Sequence, residues 1–276
     1  MAARNETKAY AAIQTTTTTS TSDLPGTIKF LAIDLSDLRT VKPFVTSFFS
    51  QESRLDILYN NAGVACISTV PAHCPETGAA HGHQLCGPLL VDLFIVGYFG
   101  PVRVIWSSSL LVDTSAPSEG VPPDNLENPS EDAIRDYTIS KTGNWFLANR
   151  FAKRFNPASV GTSDSSASEK RVVSITANPA TVRTGIYDNA PRLAILLTMP
   201  FFATVRDGAH TLLWAGCSKN ITVRDGGSYV IPVGQWHPNP RGDLLHAMTE
   251  RNNSLDATNY AKDLEERAEK LTREFQ

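Results

Sequence analysis

Short apolar runs that alternate along the chain with stretches of helical spacing most limit the folds open to this chain. Residues 27–35 (TIKFLAIDL), 55–63 (LDILYNNAG), 102–109 (VRVIWSSS), 171–176 (RVVSIT) and 227–233 (GSYVIPV) have this character. Runs so short and so rich in Val, Ile and Leu predict strands buried on both faces. Between them lie helical stripes. Ser36 can cap a helix carrying Val41, Phe44, Val45, Phe48 and Phe49, and a second helix starting near Asp132 carries Trp145, Ala148, Ala152 and Phe155. Further helical segments are expected at 193–197 and 208–215, and in the charged tail 253–276, where Leu264 and Leu271 stand seven apart. Strands alternating with helices predict an α/β fold, a parallel sheet covered on both faces. The Thr-rich tract 15–22 reads as a surface loop, and 64–88 shows no helical stripe.

A chain of 276 residues with 41% hydrophobic content can bury one large core, so one domain spanning 1–276 is expected. The 25 basic and 28 acidic residues are interspersed, which argues against a nucleic-acid partner and for a small-molecule one. The apolar stretches 88–96 and 193–205 are too short for a membrane span, and no apolar signal core opens the chain, so a cytoplasmic protein is expected. Cys66, Cys74, Cys86 and Cys217 form no CxxC pair and read as free thiols. His73, Cys74, His81, His83 and Cys86 are zinc-ligand types, but their spacing fits no standard finger, and no metal site is expected.

Tyr137 and Lys141 stand four apart in the helix that follows Asp132, so phenol and ammonium share one face. A cation beside a phenol stabilises the phenolate and brings tyrosine towards acid/base work near neutral pH. The spacing alone also suits an ordinary amphipathic helix with a solvated lysine. Its surroundings favour chemistry: Ser107-Ser108-Ser109, Asn60-Asn61-Ala62-Gly63 and the run from Asn178 to Thr184 each follow a strand, and open α/β sheets bind ligands beyond the carboxyl ends of their strands.

With these motifs in this order, the sequence resembles the short-chain dehydrogenase/reductase superfamily over nearly its whole length, within the branch of retinol-dehydrogenase-like enzymes and fungal carbonyl reductases. The resemblance implies a Rossmann-like doubly wound parallel sheet. It also implies an NADP-dependent oxidoreductase that interconverts a carbonyl and an alcohol on a small lipophilic or secondary-metabolite substrate. Tyr137 would be the acid/base, and Lys141 would hold the nicotinamide ribose. Ser109, with Ser108 as the alternative, would bond the substrate oxygen. For NADP, the resemblance implies Arg4 at the 2′-phosphate, Asp34 at the adenine, Asn60, Asn61, Ala62 and Gly63 beside the adenine ribose, and Val182 and Thr184 at the carboxamide.

The sequence departs from that pattern in three places. The family's opening strand, glycine-rich turn and helix are absent, so an N-terminally truncated fold is expected, with ladder groups left unpaired at about 1–3 kcal/mol for each buried orphan. No asparagine occurs between Asn61 and Asn125, where the family's helix asparagine belongs. Ala180 stands for the glycine of a Pro-Gly pair, tolerable where the backbone needs no positive φ. The two larger gaps give an alternative expectation: an inactive homologue acting as a binding protein.

Overall fold

A computed structural model describes residues 1–19, 26–63, 102–123, 130, 132–156, 172–182, 202–249 and 259–275. The strands are β1 Ala2–Ala3, β2 Leu31–Ala32, β3 Ile57–Asn60, β4 Val102–Ser107, β5 Val172–Ala177, β6 Tyr229–Ile231 and β7 Gln235–Trp236. The helices are α1 Glu6–Thr19, α2 Val41–Gln51, α3 Leu111–Ser115, α4 Ala133–Phe155, α5 Val205–Cys217, α6 Gly242–Ala247 and α7 Tyr260–Thr272. The main sheet has the order β3-β4-β5-β6-β7, parallel except for the last pair. β1 and β2 pair in parallel as a separate two-stranded sheet.

Alternation along β4 assigns the two faces of the sheet. Val102, Val104 and Trp106 point into a cluster with α2 and α4, while Ile105 joins Ile175, Ala177 and Val230 in a second cluster against Ala215 of α5. Both faces are therefore apolar, which is why these strands read as continuous hydrophobic runs. Arg103 lies between Val102 and Val104, and its guanidinium donates to the carbonyls of Ala215, Gly216, Ser218 and Ile221. It thereby satisfies the carbonyl-rich end of α5.

The α/β architecture and its parallel pairing are as the sequence predicts, and several boundaries are corrected. The expected strand at 27–35 shrinks to Leu31–Ala32, with Ile33 buried just beyond. Ser36 caps no helix; its hydroxyl donates to Asp34 Oδ1 at 2.6 Å. Asp37 is the cap instead, accepting from Arg39 N at the 3-10 turn that leads into α2. The Thr-rich tract is helical through Thr19, with Thr15 to Thr19 returning their hydroxyls to carbonyls a turn earlier. Back-bonding of this kind supplies partners that threonine's low helix propensity gives no reason to expect. In the tail, Leu264 is buried, but Leu271 is 47% exposed. The buried stripe of α7 is Ala261, Leu264, Glu265, Ala268 and Thr272, so period 3.6 rather than 7 describes it. The expected features at 64–88 and 193–197 lie outside the described residues.

Candidate active site

Register brings the strand ends level: Asn60 pairs with Trp106, Trp106 with Thr176, and Thr176 with Tyr229. One or two residues past this row come the segments that carry polar chemistry. β4 runs out into Ser108 and Ser109, β5 into Asn178, and β3 into the Asn61-Ala62-Gly63 turn.

Helix α4 crosses this edge. Asp132 starts it by accepting from the backbone N–H groups of Ile134 and Arg135, and Trp145, Phe146, Leu147, Ala148 and Phe151 anchor it in the core. That anchoring fixes which face Tyr137 and Lys141 present. Lys141 is buried, at 8% exposure, with Nζ 5.6 Å from the centre of the half-buried Tyr137 ring. Its ammonium donates to Ser107 O at 3.3 Å, and Asn144 Nδ2 donates to the same oxygen at 2.8 Å. Burial pushes the Lys141 ammonium down to about 8. The turn after β3 closes on this lysine: a Cβ on Gly63 would sit 3.4 Å from Nζ.

The two candidate serines separate by burial. Ser108 is 3% exposed, donates Oγ–H to the Lys141 carbonyl at 3.1 Å and accepts from the Tyr229 hydroxyl at 3.2 Å. Its polar capacity is spent inside the fold. Ser109 is half-buried; its Oγ accepts from Leu111 N at 3.3 Å, and its proton has no acceptor among the described residues. The hydroxyl able to donate to a ligand is that of Ser109.

No family model matches the chain. Among curated proteins, the short-chain dehydrogenase/reductase iacJ of Pestalotiopsis fici is 33% identical over 262 residues, covering 91% of this chain and 76% of that protein. A short-chain dehydrogenase/reductase of Phomopsis amygdali is 32% identical, covering 91% and 78%. The chain belongs to the short-chain dehydrogenase/reductase family. Human retinol dehydrogenase 12 is 29% identical over 70% of this chain and 58% of its own length. Among solved structures, an NADPH-bound carbonyl reductase from chicken fatty liver superposes with a TM-score of 0.58 at 15% identity, covering 83% of this chain and 79% of that one. At that identity the likeness carries the fold.

The remaining family positions are placed unevenly. Arg4 follows β1 directly and is exposed. Asp34 is half-buried two residues past β2, and its Oδ1 accepts from both the backbone and the hydroxyl of Ser36. Asn60 ends β3, while Asn61 and Ala62 lie exposed in its turn. Val182 forms a parallel bridge with Ala203, and Thr184 lies outside the described residues. Ala180 corrects an expectation: it adopts φ +75°, the left-handed region, so this turn does need what the family's glycine provides. Its N–H bonds Asn178 Oδ1 at 2.9 Å.

Sequence reasoning passed over Asn144 and Tyr229. Asn144 was legible, being one turn beyond Lys141 on the same helix face. Tyr229 reads as a core aromatic, and nothing local marks its hydroxyl, whose one proton is shared between Ser109 O at 2.9 Å and Ser108 Oγ at 3.2 Å. Burial drives this phenol above its ordinary value, with its hydrogen bond to Ser108 acting the other way. The His/Cys group around 73–86 lies outside the described residues.

Proposed function

We propose that this short-chain dehydrogenase/reductase is an NADP-dependent enzyme interconverting a carbonyl and an alcohol on a small, lipophilic organic substrate. One observation carries the reading: Lys141, Tyr137 and the donor-capable Ser109 lie together at the carboxyl edge of the sheet, with the Gly63 turn against Lys141.

The residues present suit a nicotinamide ribose. The Lys141 ammonium has protons left after its bond to Ser107 O, and a hydroxyl-bearing ligand supplies acceptors for them. When bound, the cofactor supplies or receives the hydride. Lys141 then holds the ribose hydroxyls and favours the phenolate form of Tyr137. Tyr137 passes a proton to the substrate oxygen during reduction and takes it back during oxidation. Ser109 Oγ–H donates to the same oxygen and so favours the form in which it carries negative charge. Asp34 takes the adenine side, Asn60 to Gly63 the adenine ribose, Val182 and Thr184 the carboxamide, and Arg4 the 2′-phosphate that distinguishes NADP from NAD.

A second reading, a homologue that binds without turnover, has its own support. Among the described residues β1 and β2, which lead into Arg4 and Asp34, share no ladder with the main sheet. Titration of NADPH into the full chain, followed by calorimetry, separates the two. The enzyme reading expects saturable binding, carbonyl-dependent NADPH oxidation across a panel of aldehydes and ketones, and loss of that oxidation in Tyr137→Phe. No binding at millimolar NADPH sinks it.

A further inference from the structure

The segment that begins at Ser109 has little of its own to hold it. Helix α3 is five residues long, its N-cap Leu110 makes no side-chain bond, and it buries Val112 alone. So short a helix persists only through tertiary ties. Three such ties come from one stretch, 229–241. The Tyr229 hydroxyl donates to Ser109 O at 2.9 Å. His237 Nε2 lies 3.2 Å from Asp113 Oδ1. Arg241 Nη1 donates to Ala116 O at 2.8 Å and Val112 O at 3.3 Å, the carbonyl end of α3.

The stretch is braced internally. His237 N donates to Tyr229 O at 2.9 Å, and the two rings meet edge-on at 5.7 Å. Asp243 pairs with the Arg241 guanidinium and aims it. His237 Nδ1 accepts from Asn239 N at 3.2 Å, so in the neutral imidazole the proton sits on Nε2, where it donates to Asp113.

We propose that Tyr229, His237 and Arg241 are positioning residues, a clasp from the β6–β7 hairpin and the loop after it that sets where Ser109 presents its hydroxyl to substrate. The proposal rests on the reading of Ser109 as the substrate-side donor. Its consequence is that the hydroxyl is placed from the far end of the sheet as well as from β4. The carbonyl that Tyr229 holds belongs to Ser109 itself, so loosening it leaves the backbone that carries Oγ on local bonds from Val112 N and Leu111 N alone.

Hydrogen–deuterium exchange on the full chain without cofactor reads the clasp directly. Tyr229→Phe removes one hydroxyl and is expected to raise exchange in the 109–116 peptide about tenfold, and Arg241→Gln to do the same. Arg154→Ala, which cuts an ion pair between α4 and α7, serves as the control that leaves this peptide unchanged. Should Tyr229→Phe not fold, His237→Ala joins Arg241→Gln in the same measurement. Wild-type exchange in both clasp variants, or a rise no larger than the control's, overturns the proposal. With any carbonyl the wild type reduces, Tyr229→Phe is expected to lower kcat about tenfold at unchanged KM for NADPH. A loss confined to that KM also overturns it. A wild type without NADPH turnover defeats the oxidoreductase reading and leaves the exchange result to decide the clasp.

Discussion

At Lys141 a charge sits in the fold with a backbone carbonyl as its one acceptor among the described residues. Lowering its pKa from 10.5 to about 8 by burial means the charged form opposes folding. Below about pH 8 the folded and unfolded chains both hold the proton. Between about 8 and 10.5 the unfolded chain holds more, so stability rises with pH across that window, by up to about 3 kcal/mol. Urea unfolding at pH 7.5 and 10 is expected to show this gain in the wild type relative to Lys141→Met; parallel behaviour of the two chains rules the account out. Ala180 is strained in a different way. Leaving the left-handed region of an alanine relieves about 1–2 kcal/mol. The extra freedom of an unfolded glycine takes back about 0.5–1 kcal/mol. Ala180→Gly is therefore expected to raise the melting temperature by roughly 2 °C, measurable by calorimetry, and a fall in that temperature contradicts the strain. Tyr137 and Lys141 were legible because a spacing of four on a helix is a geometric statement. The family pattern favoured Ser109 over Ser108, but nothing local in the residues separated them, because their difference is burial, and burial comes from Tyr229 and the Lys141 carbonyl, both distant along the chain.

Helix α4 is the element the sequence announced best, since its cap at Asp132 and its apolar stripe are local signals that tertiary packing reinforces. What packs on its outer face was not announced. Helix α7 docks there through Leu264 and Ala268 and through Glu265, whose carboxylate meets Arg150 Nε at 2.6 Å and Arg154 at 3.7 Å. Arg150 and Glu265 are 15% and 10% exposed, whereas Arg154 is 45% exposed and pairs also with Glu269. Removing Glu265 takes the carboxylate away from a mostly buried guanidinium, so Glu265→Ala is expected to cost about 2–4 kcal/mol in urea unfolding. Glu269→Ala, at the solvent end of the same network, is expected to cost under about 1 kcal/mol. Equal costs would show that burial does not grade this network. Helix α1 escaped prediction for the converse reason. Its second half is Thr-rich and poor in propensity, and the whole helix has a single buried residue, Ala9 in its first turn, and so no stripe to read.

Across the whole molecule, the order of strands and helices followed from the alternation of short apolar runs with helical stripes. The division of the sheet did not, because pairing is a relation between distant segments. β1 and β2 are held by backbone bonds from Leu31 N to Met1 O and from Ile33 N to Ala3 O, and by the Met1 amino group donating to Lys29 O. The ion pair between Lys29 and Glu52 is exposed and adds little. Yet Ile33, Leu38, Val41, Phe44 and Val45 share one apolar cluster with Val104 and Trp106 of the main sheet. Among the described residues the two sheets are thus joined by side chains and not by a ladder. Side-chain contact is non-directional and gives up little when a flap slides, whereas a ladder opens bond by bond. The β1–β2 unit should therefore open without the main sheet opening. Native-state hydrogen exchange is expected to show the Leu31 and Ile33 amides exchanging at least about 100-fold faster than Thr176 N, which donates to Ser228 O inside the main sheet. If all three exchange at one common rate set by global unfolding, the apolar cluster alone makes the two sheets a single cooperative unit. Ligand adds a second arm to the test. Arg4 and Asp34 follow β1 and β2, so if they hold the adenine end of NADPH as proposed, saturating cofactor must slow Leu31 and Ile33 as well as Thr176, whose sheet carries the Lys141 and Asn60–Gly63 contacts. Slowing at Thr176 alone would place the cofactor's contacts on the main sheet and remove Arg4 and Asp34 from its site.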